Sequence, residues 1–189
     1  MTFNTASLNL AFEFLDILQQ NKLDYTNSFR ALLAVIANGF EMDTTTIKLK
    51  QTDLSHENEL LNTLCNELGE DARQLFDQWQ ESYISHIANY GHNIKYPSAS
   101  NDEARNQKDY HPTFIQTVMT MLASSNPVYV LRGQMAQVAI EQGEAGDFAE
   151  VDRLFRLLTD PFNVQSIAKL ADTTPPTKDA PPLVISCSS

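Results

Sequence analysis

Apolar side chains recur at every third or fourth position through most of the chain from Leu8 to Leu158, and this period constrains the chain more than any other feature. Leu8, Ala11, Phe12, Leu15 and Leu18 open the series, with Phe14 and Ile17 widening the stripe. Phe29, Leu32, Leu33 and Ile36 follow, stopped by Asn38-Gly39. A third stripe of Leu60, Leu61, Leu64 and Leu68 closes at Gly69. The fourth and longest, Ala72, Leu75, Phe76, Trp79, Tyr83 and Ile87, is predicted to stop near Gly91. Phe114, Ile115, Val118 and Leu122 make a fifth. Asn126-Pro127 then reads as an N-cap with proline at the first helical position, leading into Val128, Leu131, Met135 and Val138. Gly143 and Gly146 break that helix. Asp147 with Glu150 has the form of a capping box ahead of Phe148, Val151, Leu154, Phe155 and Leu158.

No segment alternates apolar and polar residues for long, and no tight hairpin turn joins two such segments. The predicted fold is therefore all-α, about seven amphipathic helices in a body spanning 1–172. The stretch 96–110 is polar and reads as a long loop. Pro175, Pro176, Pro181 and Pro182 mark 173–189 as an extended tail.

Charge narrows the range of partners. Among 189 residues, 24 acidic side chains face 13 basic ones, a formal charge of -11. Neutralising phosphates or an anionic bilayer needs the opposite sign, so neither nucleic acid nor membrane is an expected partner. Hydrophobic residues make up 42 %, enough for a packed core. The opening residues lack the basic segment of a secretory signal, and two cysteines cannot form a disulfide framework, so a reducing cytoplasm is expected.

The residue types that carry chemistry are present but badly spaced for it. His86 and His92 are six apart, on different sides of a helix; with His56 and His111 they read as exposed or loop residues. Asp147-Phe148-Ala149 imitates a kinase metal motif but lacks its glycine, and helix capping accounts for it. Gly133, Gly143 and Gly146 follow no strand, so no phosphate-binding loop is expected. Glu67, Glu70, Asp71, Glu141 and Glu144 occupy solvated faces. Trp79 and Tyr83, four apart, face one way and read as core rather than as a stacking platform. Cys65 lies on the third stripe as a small thiol packed among leucines. Cys187, third from the end and flanked by serines, has no packing explanation and reads as a thiol open to exchange.

Several runs together resemble a known family. Asn126-Pro127-Val128-Tyr129-Val130-Leu131-Arg132, then Ala136-Gln137 and Gly146-Asp147-Phe148, resemble the C-terminal signature of the selenoprotein O family. The ending Ile185-Ser186-Cys187-Ser188-Ser189 is similar to that family's terminus, where selenocysteine stands at the position of Cys187. Asp24-Tyr25-Thr26-Asn27-Ser28-Phe29-Arg30 and the Trp79/Tyr83 pair resemble further family segments. The resemblance implies a kinase-like enzyme that transfers AMP from ATP to Ser, Thr or Tyr hydroxyls of protein substrates with magnesium or manganese. It also implies that the nucleotide, metal and catalytic residues lie in an N-terminal kinase-like core. This chain then corresponds to the C-terminal helical region, with no catalytic, cofactor-binding or metal-binding residue of its own. By the resemblance Cys187 is a redox residue whose partner cysteine is in the core; a bridge to Cys65 is a poor substitute. Asn126, Pro127 and Arg132 match the family motif without an assigned role, Arg132 being expected to anchor the helix from Pro127 or to bridge to the core. Such a region is expected to pack on that core and to expose an apolar patch there. The alternative is a stand-alone helical module that binds another protein.

Overall fold

The computed structural model describes residues 5–40, 54–93 and 112–175. The 96–110 stretch, His111, and the tail beyond 175 with Cys187 lie outside the described residues. Among those described, every regular element is helical: α1 (Thr5–Gln20), α2 (Tyr25–Gly39), α3 (Ser55–Glu67), α4 (Glu70–Asn93), α5 (Pro112–Ser125), α6 (Gly133–Glu144) and α7 (Ala149–Thr159), with a 3-10 turn at Leu170–Asp172. The fold is all-α. No helix among the described residues is long and apolar enough to cross a membrane.

Helix α2 is the axis. Asp24 caps it by accepting the Asn27 N–H at 2.8 Å, and every residue from Arg30 to Ala37 is buried. A helix apolar on all sides needs neighbours all round, and α3, α4 and α5 supply them. Leu33, Ile36 and Ala37 meet Ile87, Phe114, Ile115 and Met119 on one side. Leu32 and Val35 meet Phe14, Leu18, Leu64, Phe76 and Trp79 on the other. There Phe14 stacks on Trp79 at 4.5 Å between ring centres, and Trp79 on Tyr83 at 4.9 Å. The indole N–H donates to the Leu10 carbonyl at 2.8 Å, so Trp79 is a satisfied core residue, as expected.

The second, smaller core belongs to the α6–α7 hairpin. Val128, Tyr129, Met135, Ala139, Leu154 and Leu157 close it. Carboxylates predicted to be solvated are exposed: Glu67, Glu70, Asp71, Glu141 and Glu144.

Five readings of the sequence need correction. Residues 126–132 are not helical. The Asn126 side chain bonds back to the Leu122 carbonyl at 2.9 Å, so Asn-Pro ends α5 instead of starting a helix. The Val128 and Tyr129 N–H groups both donate to the Pro161 carbonyl, which holds the segment extended beneath the loop after α7. Gly91 is not a stop either. It sits buried inside α4, where a Cβ would fall 2.7 Å from the Phe114 ring. In α1 the buried face is Phe14, Ile17 and Leu18, while Phe12 is 62 % exposed; eleven nearly unbroken residues of mixed apolar character left its orientation open. His56 and His86 lie half-buried on α3 and α4, not in loops. Finally, Asp147 does accept the Ala149 N–H at 2.9 Å, but Glu150 is drawn inward to Arg153 and Lys169, so no capping box forms.

Candidate functional site

The two runs that resembled family segments, Asp24–Arg30 and Asn126–Arg132, meet in space and are cross-linked by an arginine from each. Arg132 reaches Asp24 with both terminal nitrogens, at 2.6 and 3.0 Å, and touches the Asn27 side-chain oxygen at 3.3 Å. This two-pronged geometry is what a planar guanidinium offers a carboxylate. Burial pushes the Asp24 carboxyl up, but the hydrogen bonds from Arg132 and the Asn27 N–H outweigh it and hold the group below its ordinary value. Asn27 also donates to the Thr173 carbonyl at 3.0 Å, so the chain is still tied to the body there.

Arg30 runs in the opposite direction. Its NH1 donates to the carbonyls of Ala123 and Asn126 at 3.2 and 3.0 Å, closing off the end of α5. Its Nε and other terminal nitrogen hold Glu57, each at 2.8 Å, with the two side chains only 4 % and 3 % exposed. Buried charges persist only when paired and hydrogen-bonded, and this pair is both. Pro127 is the hinge between the clamps: Arg30 fixes the residue before it, and Arg132 fixes the end of the extended run after it.

A third charge cluster secures the chain after α7. Arg153 lies between Glu150 and Asp172, with contacts of 2.6 to 3.0 Å to each, and Lys169 Nζ reaches Glu150 at 2.6 Å. The hydrogen bonds from Arg153 chiefly bring the Glu150 carboxyl down to about 2. Burial raises Asp172, yet Arg153 and the Lys169 N–H bring it below its usual range.

A metal-bound nucleotide needs free carboxylates converging on the cation and free cationic groups for the phosphates. The donor set here does not fit. Asp24, Glu57, Glu150 and Asp172 are each engaged by an arginine, and among the described residues no three metal-ligating side chains converge. Burial pushes the free thiol of Cys65 up, away from the reactive thiolate, which suits a packing role.

The remaining surface feature is apolar. Phe148, Val151 and Phe155 share one face of α7 and its leading turn, 61 %, 42 % and 71 % exposed, while Leu154 and Leu157 on the other face fill the core. The single stripe read from the sequence is thus two faces. Leu170, 85 % exposed, adds to the apolar surface of this half of the molecule. Motif position foretold the meeting of Asp24 and Arg132 only in that both runs stood out; no signal pointed to Glu57 as the counter-ion of Arg30.

The chain is similar to proteins described as protein nucleotidyltransferase YdiU. That of Cupriavidus metallidurans is 29 % identical over 173 residues, 92 % of this chain and 24 % of the relative. The Pseudomonas fluorescens protein is 33 % identical over 60 % of this chain and 19 % of its own length. The Myxococcus xanthus protein is 50 % identical over 34 % of this chain and 13 % of its own length. The chain therefore spans about a quarter or less of these curated relatives. No protein-family model matches it, and no solved structure does.

Proposed function

From this similarity to proteins described as protein nucleotidyltransferase YdiU we propose that the chain belongs to the selenoprotein O family and is the non-catalytic, helical C-terminal region of such an enzyme. In this reading the transfer of AMP from ATP to Ser, Thr or Tyr hydroxyls of protein substrates occurs on a kinase-like core outside this chain. ATP and magnesium or manganese belong to that core. The helices brace it, in the cytoplasm, and engage neither nucleic acid nor membrane. Cys187 is the redox residue of the tail, its thiol pairing with a cysteine of the core.

The observation that carries the reading is the outward stripe of Phe148, Val151 and Phe155. A monomer gains nothing from presenting two phenyl rings to water on a helix whose other face already fills a core. The clamps through Arg132 and Arg30 give that helix a fixed seat on the body, as a docking face requires.

The test is co-sedimentation of this chain with the remaining portion of the Cupriavidus metallidurans relative, produced separately. A complex is expected, lost on the double change Phe148→Glu and Phe155→Glu while the circular dichroism of the chain is unchanged. A chain that ignores the relative but is soluble and monomeric would instead favour the stand-alone interaction module.

A further inference from the structure

The inward sides of α6 and α7 close the second core, and their outward sides form an apolar strip. On α7, Phe148, Val151 and Phe155 point away from that core. At the turn the two helices come close over Gly143: a Cβ there would stand 3.6 Å from the Phe148 ring. Ile140, exposed and three residues before Gly143, continues the apolar surface on the α6 side. From Phe148 to Phe155 the strip covers two turns of α7, about 10 Å of helix axis. A partner helix presents its own apolar side chains at this interval, at i, i+3 or i+4, and i+7, so the strip matches a helix in repeat.

The border of the strip is acidic. Glu141 and Glu144 at the end of α6, Asp147 in the turn and Asp152 on α7 are all exposed. None of the four is in an ion pair among the described residues. The cations of the hairpin are Arg153, which Glu150 and Asp172 hold, and Arg156. Carboxylates left in water set the sign of what can approach the apolar surface between them. A second copy of the chain would bring the same carboxylates together across a two-fold axis. An anionic bilayer would meet the same repulsion.

We infer that this strip docks an amphipathic helix whose apolar ladder is edged by lysine or arginine. The inference rests on the docking role proposed above for α7 and names the chemistry of the partner, a basic-edged helix of the kinase-like core. Its apolar side chains cover Ile140, Val151 and Phe155, and its cations meet Glu144, Asp147 and Asp152. Burial of the strip supplies affinity, while the charges select the partner and speed its approach. The net charge of -11 on the chain adds a longer-range attraction of the same sign.

Two synthetic helical peptides of about 18 residues test this, both with a leucine ladder at i, i+3 and i+7 and differing only in lysine or glutamate along its edges. Fluorescence anisotropy with the whole chain is expected to show saturable binding of the lysine-edged peptide and about tenfold weaker binding of the other. A scrambled peptide of the lysine-edged composition, carrying the same charge without the ladder, should bind no better than the glutamate-edged one. Phe155→Glu should abolish binding, and Glu144→Lys with Asp152→Lys should reverse the preference, each with helical circular dichroism retained. No saturable binding of the lysine-edged peptide, equal binding of the scrambled one, or a preference unchanged by the charge reversal would overturn the inference. So would a dimer of the chain alone that Phe155→Glu dissolves. Co-sedimentation with the remaining portion of the Cupriavidus metallidurans relative keeps the two readings apart. A complex indifferent to the charge reversal leaves core docking standing and overturns the basic helix. A chain that takes the lysine-edged peptide but not the relative does the converse.

Discussion

Arg132 and Asp24 are 108 positions apart, yet their two short hydrogen bonds fix how the α6–α7 hairpin meets the rest of the chain. Removing one partner of so buried a pair leaves the other charge desolvated and alone. Arg132→Ala is expected to cost about 2–4 kcal/mol of stability in urea unfolding, and Arg132→Lys less, since one ammonium replaces a fork with a single point charge. If both changes prove neutral, the pair is not what seats the hairpin. At the same scale two helical glycines should respond with opposite signs. A Cβ at Gly91 would fall 2.7 Å from the Phe114 ring, so Gly91→Ala should destabilise by about 1–3 kcal/mol. At Gly143 the nearest atom, on Phe148, is 3.6 Å away, and Gly143→Ala should stabilise by about 0.5–1 kcal/mol through helix propensity alone. Thermal melts of the two variants decide both.

Among the elements, α7 and the chain that follows it are held by charge as much as by packing. Glu150 titrates near 2 instead of 4.5, so its contribution to folding is complete above about 4.5 and is lost as the pH falls towards 2. Asp172 and Asp24 are shifted in the same direction and reinforce the loss. Amide protection relative to the intrinsic exchange rate should therefore fall over residues 149–175 between pH 4.5 and 2 before that of α2, which the buried aliphatic core protects; simultaneous loss of both would contradict this. Periodicity made most of these elements legible, because an amphipathic stripe reports a helix wherever one face is buried. It failed where one signal has two meanings. Asn-Pro can open a helix or close one, and the bonds that the Val128 and Tyr129 N–H groups donate to the Pro161 carbonyl, with that of the Asn126 side chain to Leu122, decide for closure. In α7 apolar residues occupy both faces, and sequence spacing does not say that Leu154 and Leu157 go inward while Phe148 and Phe155 stay in water. The clamps were legible only as unusual runs, since ion pairs more than 25 residues apart, such as Arg30 with Glu57, leave no periodic trace.

For the whole molecule, acidic charge outweighs basic charge. Its net charge of -11 and the pairing of Arg30, Arg132 and Arg153 with carboxylates leave little among the described residues with which to hold a nucleoside triphosphate. The apolar stripe on α7 supplies a surface for something larger. The central claim is that nucleotide chemistry lies outside this chain, and thermal unfolding with ATP, in the presence and absence of manganese, tests it most directly. A ligand of the native state must raise the midpoint, so an unchanged midpoint at millimolar ATP and manganese is the predicted result. A metal-dependent rise that saturates with ATP would place a nucleotide site on these helices and contradict the account.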